Sequence, residues 1–143
     1  MSIESIALWH KRARPEPRDI HFNIQLGCHF EEICEMLAVV NTTQNDTLVR
    51  ARAALAWLAD GLKKGTIGAT ITDRQEFLDA CADQVVTAVG AAYTAGMDAA
   101  EAVNRVNLSN WSKFNEEGYP IFDEHGKIKK GPNYAPPDLT GLY

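Results

Sequence analysis

An excess of basic residues is missing from this chain. Fourteen lysines and arginines stand against 19 aspartates and glutamates, a formal net charge of -5 with a pI near 5.3. Proteins that neutralise a phosphate backbone need a cationic stripe, so nucleic acid is not an expected partner. Cysteine is scarce as well. Cys28, Cys34 and Cys81 are odd in number and form no CxxC pair, which leaves no disulfide framework and points to a reducing compartment. His21 and His29 lie near Cys28 and Cys34, but the two cysteines miss the spacing of structural zinc sites, and nothing marks the third group that a Cys–His nucleophile requires. Nor is there a long apolar run. No stretch approaches the ~20 apolar residues of a membrane span, and the start, MSIESIALWHKRARPEP, places its basic residues after a short mixed segment rather than before an apolar one. The expectation is a cytoplasmic protein with no membrane partner. What is present is ordinary: 143 residues, 45% hydrophobic and 23% charged, enough for one globular domain over 1–143 with a core of its own.

Periodicity predicts an all-α fold, a bundle of about five helices. Ile3, Ile6, Ala7 and Trp9 recur at helical spacing over Ser2 to Ala13, and Pro15 and Pro17 stop the run. A second helix is expected from Asp19 to Val40, and a third from Asp46 to Lys64, where two lysines and Gly65 make a favourable C-terminus. Thr72-Asp73-Arg74-Gln75 reads as a capping box with Thr72 as the cap, opening a fourth helix that runs to about Ala95. Its Ala- and Gly-rich middle admits a close neighbour and predicts a central place in the bundle. Asp98-Ala99-Ala100-Glu101 opens a fifth helix ending around Asn110. Pro120 to Ile128, with Gly126 at its turn, reads as a short β-hairpin, and Gly131 to Pro137 as an extended tail lying over another surface.

The chemistry-bearing signal is Glu31-Glu32-Ile33-Cys34-Glu35 in the second helix. Residues three apart share a helix face, so Glu32 and Glu35 can converge on one cation. Hard oxygen donors suit Mg²⁺, with Mn²⁺ as a substitute. The fourth helix offers Glu76, Asp79 and Asp83, and Asp83 falls in the run Ala82 to Val89, where a carboxylate costs free energy unless paired or metal-bound. The bland alternative for any one of these acids is a solvated helix face.

With these residues in view, the chain resembles the MazG-like all-α nucleoside triphosphate pyrophosphatases, including their phage-type, phosphoribosyl-ATP pyrophosphohydrolase-like members. The family signature is EExxE on one helix and ExxD on a later one. The first half is literal in Glu31, Glu32 and Glu35; in the second, the aspartate falls on Asp83 and the glutamate on Ala80, with Asp79 one residue earlier as substitute. Glu76 with Asp79 also satisfies the string, one turn toward the N-terminus. The resemblance continues through Asn107 to Phe114, His125-Gly126-Lys127 and Lys130-Gly131-Pro132-Asn133-Tyr134.

That resemblance implies Mg²⁺-dependent hydrolysis of a nucleoside triphosphate between its α and β phosphates, giving the monophosphate and pyrophosphate. The metal ligands it implies are Glu32, Glu35, Asp79 and Asp83, with Glu31 orienting water or a second ion. Lys113, Lys127 and Lys130 become candidates for the β and γ phosphates, and Asn110 and Tyr134 for nucleotide contact. Trp9 and Trp111 are further candidates to stack on a base, although Trp9, on an amphipathic helix, reads better as a core or interface aromatic. The phage-type resemblance points to a purine substrate, dGTP or GTP ahead of dATP, to the host cytoplasm if the protein is phage-encoded, and to a homo-oligomer, a dimer or dimer of dimers. A nonenzymatic helical interaction module with an acidic face is the alternative from another class.

Overall fold

Caps and breakers end the helices close to where the sequence places them. The computed structural model describes residues 3–124 and 126–143. Among these it is all-α: α1 (Ile3–Ala13), α2 (Asp19–Ala38), α3 (Asn45–Lys64), α4 (Arg74–Thr94) and α5 (Ala99–Trp111). Gly65 closes α3 at φ 75°, a left-handed conformation that costs glycine little, and the Thr66 amide turns back onto the Gly61 carbonyl at 3.0 Å. The cap of α4 is one residue later than expected. Asp73, not Thr72, accepts from the Gln75 and Glu76 amides at 3.0 and 3.1 Å, and a carboxylate is the better acceptor at the positive end of a helix. Asp98 caps α5 as expected, accepting from the Glu101 amide at 3.0 Å.

The chain groups into two compact units, Pro17–Thr72, and Met1–Glu16 with Asp73–Tyr143. The first is the antiparallel pair α2 and α3. Gly27 sets their closest approach: a Cβ there would lie 2.8 Å from the Ala59 carbonyl oxygen and 2.8 Å from Cγ of Lys63. Ala59, Leu62 and Cys34 are buried in this unit. The Asn23 side chain accepts from the Ala69 amide at 3.1 Å, tying the segment after α3 to the first turns of α2.

In the second unit α1 packs on α5 through aromatic and polar contacts. Trp9 stacks on the buried Phe114 with ring centroids 5.5 Å apart, and its indole N–H donates to the Asn110 carbonyl at 2.9 Å. Asn107, also buried, and Trp111 both donate to the Ser5 hydroxyl. The C-terminal segment is extended, as expected, and the surface it covers is α5. Gly131 donates to the Lys113 carbonyl, Ala135 to the Ser112 hydroxyl, Arg105 to the Asp138 carbonyl, and Asp98 to the Leu142 carbonyl. It therefore runs antiparallel to the helix along its whole length.

Two expectations change. The hairpin is reduced to one antiparallel bridge between Phe122 and Ile128, closed by an Asp123 amide bond to the Lys127 carbonyl at 2.9 Å, and no strand forms among the described residues. Pro120 on one side and the diversion of Gly131 onto α5 on the other leave too few residues to extend a ladder. His125 lies outside the described residues. Helix α4, expected at the centre of a bundle, has no buried residue.

Candidate active site

The three glutamates of α2 divide into two environments. Glu31 is half-buried against α3, where its Oε1 accepts from Nζ of Lys63 at 2.6 Å. That hydrogen bond holds the Lys63 pKa above the usual lysine value; burial opposes it, and the pair's Coulomb attraction adds a lesser upward push. The close approach at Gly27 brings the stem of Lys63 over α2, so packing and ion pair fix each other. Glu32 and Glu35 are exposed and, among the described residues, carry no hydrogen bond or ion pair. Cys34 between them is buried and donates its thiol to the Arg52 carbonyl at 3.8 Å. This orients the turn, so that two unpaired carboxylates face water where one inward position anchors the helix.

Asp79, Asp83 and Glu76 sit on α4 in the other unit and are all exposed. Their spacing places the three on a single polar flank of that helix. Asp83 is not buried among the apolar residues that surround it in sequence, because those residues are themselves largely exposed. No group of three or more His, Cys, Asp or Glu side chains comes together among the described residues. Two hard oxygen donors one turn apart, as Glu32 and Glu35 are, suit Mg²⁺, which commonly takes one or two carboxylates and fills its remaining positions with water and substrate phosphate.

The polar candidates near the end of α5 are brought together in part. Lys113 donates from Nζ to the Asn110 side-chain oxygen at 2.7 Å, just past the C-terminal turn of the helix. Lys130 lies with its ammonium 4.6 Å from the centre of the Tyr134 ring, and Gly131 between them is bonded to the Lys113 carbonyl. Lys127 is exposed in the turn, its amide donating to the Asp123 carboxylate. Trp9 is an interface aromatic stacked on Phe114, and Trp111 is held by Ser5 with the Arg12 guanidinium 5.9 Å from its ring centre. Sequence reasoning missed Lys63, taken there only as a cation suited to a helix terminus. Its signal is faint, since nothing in the spacing of α3 marks which lysine faces α2. No protein-family model matches the chain, and neither curated proteins nor solved structures give a significant match.

Proposed function

We propose that the protein is a Mg²⁺-dependent nucleoside triphosphate pyrophosphohydrolase. The observation that carries this reading is the division within EExxE: Glu31 is committed to Lys63 while Glu32 and Glu35 stand unpaired one turn apart. Glu31 faces α3 and is engaged there, which leaves the other two carboxylates of the motif available to a cation. The resemblance to MazG-like enzymes supplies the reaction and the second pair of carboxylates, Asp79 and Asp83.

In this reading Glu32 and Glu35 would hold Mg²⁺, and Asp79 and Asp83 are the further ligands that the resemblance implies. A Mg²⁺ ion held there would neutralise phosphate charge and lower the pKa of water. Water adds at the α phosphorus, the bond from that phosphorus to the α–β bridging oxygen breaks, and nucleoside monophosphate and pyrophosphate leave. Asn110, already bonded to Lys113, fixes that ammonium as a donor to phosphate oxygens, while Lys127 and Lys130 supply further positive charge. Tyr134 offers a ring face to the nucleotide. The substrate class is a purine triphosphate, dGTP or GTP ahead of dATP, and the working form is a homo-oligomer. Pyrophosphate release from a panel of nucleoside triphosphates, with Mg²⁺ and with chelator, tests the proposal. Metal-dependent release favouring purines is expected. No release from any member would leave the interaction-module reading in its place, and equal turnover of pyrimidines would overturn the substrate preference alone.

A further inference from the structure

Helix α4 is 21 residues long and has no buried residue, and from Leu78 onward it carries a row of exposed apolar side chains along one side. Leu78, Ala82, Val85, Val86, Val89 and Tyr93 fall within an arc of about 100° at 3.6 residues per turn. Leu78 is 71% exposed, Val86 68% and Tyr93 77%. A helix gains most of its stability by burying such a stripe. From these exposures the stripe offers on the order of 600 Å², at the upper end of what a monomer leaves open. A stable dimer buries ~800 Å² per partner, and the stripe alone offers most of that area.

We propose that the occupant of this stripe is the α4 stripe of a second copy of the chain, packed antiparallel about a two-fold axis passing between Val85 and Val86. The order of residues carries the choice. About that axis Leu78 meets the second copy's Tyr93, Ala82 meets Val89, and Val85 meets Val86, so every apolar position finds an apolar counterpart. An isologous contact demands this self-complementarity, and an unrelated partner does not. Charge selects the direction. All the charged residues of α4, Arg74, Glu76, Asp79 and Asp83, lie in its N-terminal half, and none follows Asp83. A parallel pair would set Asp79 and Asp83 against their own copies, whereas the antiparallel pair sets them beside the uncharged half of the partner helix. Gly90 borders the stripe with nothing within 4 Å of where its Cβ would be, leaving room for the approach.

This specifies the surface of the oligomer named in the proposed function and does not depend on the chemistry. Sedimentation of the full chain across a dilution series, beside Val86→Ala, Val86→Glu and Val85→Lys, tests it. The parent should dimerise, and Val86→Ala, mild enough to keep the helix, should raise the dimer dissociation constant by about tenfold, since two copies of the contact are lost. Val86→Glu and Val85→Lys should each sediment as monomers, and mixing them should restore a dimer, because residue 85 of one faces residue 86 of the other. A monomeric parent would overturn the proposal, whether the stripe is covered by its own chain or by a different protein. So would an unchanged dissociation constant for Val86→Ala, or a mixture that stays monomeric. Pyrophosphate release by the parent is read separately, so failure of the interface and failure of the enzymatic reading are distinguishable.

Discussion

Among individual residues, the carboxylates divide into those that are committed and those that are open. Glu35→Gln and Asp83→Asn keep shape and remove charge, and each should lower kcat/KM by about 100-fold or more if a metal ligand is weakened. Circular dichroism should be unchanged, and Mg²⁺ should stabilise the parent but neither variant. Glu124→Gln, in the turn before Lys127, is the control and should be nearly silent in turnover. Near-parental activity of both charge-removing variants at limiting Mg²⁺ would move attention to Glu76 and Asp79. Glu31 behaves differently because its partner is identified. Its ion pair with Lys63 is partly exposed, so Glu31→Gln should cost only about 0.5–1 kcal/mol in urea denaturation at neutral pH. The raised Lys63 pKa makes this contribution fully present below the ordinary lysine value and lost as pH rises through the folded-state value. The stability gap between parent and Glu31→Gln should therefore close at strongly alkaline pH.

At the scale of the element, caps give the cleanest tests. Asp73→Ala should destabilise by about 1 kcal/mol, because two amides at the start of α4 lose their acceptor, while Thr72→Ala should be close to neutral. The reverse order would restore Thr72 as the cap. Helix ends were legible in the sequence because glycine, proline and acidic caps act within a few residues, as Gly65 and Asp98 show. The short bridge at Phe122 was not, since a hairpin pattern says nothing of the Gly131 contact that pulls the chain onto α5. The pairing of Glu31 with Lys63 was equally hidden, for it depends on the Gly27 crossing between two helices. Gly27→Ala would drive a methyl into the Ala59 backbone carbonyl and should cost about 1–3 kcal/mol. It should also loosen the turn that carries Glu32 and Glu35. A stability equal to the parent's would show that α2 and α3 separate freely there.

At the scale of the whole molecule, charge and hydropathy set limits that the structure respects. No helix among the described residues is long and apolar enough to cross a membrane. The tail, whose aromatic and proline residues raise the question of what orders them, is held by bonds from Lys113 to Asp98 along α5 and needs no second copy. The apolar side of α4 is where a second copy is called for. The acids of α2 matter through the reaction they support. It is tested most directly by following dGTP with Mg²⁺ by phosphorus NMR, which separates cleavage between the α and β phosphates from cleavage at the γ phosphate. The expected result is dGMP and pyrophosphate in equal amounts, absent with chelator and from Glu35→Gln. Formation of dGDP with orthophosphate, or no consumption of dGTP or of any other nucleoside triphosphate, would contradict it.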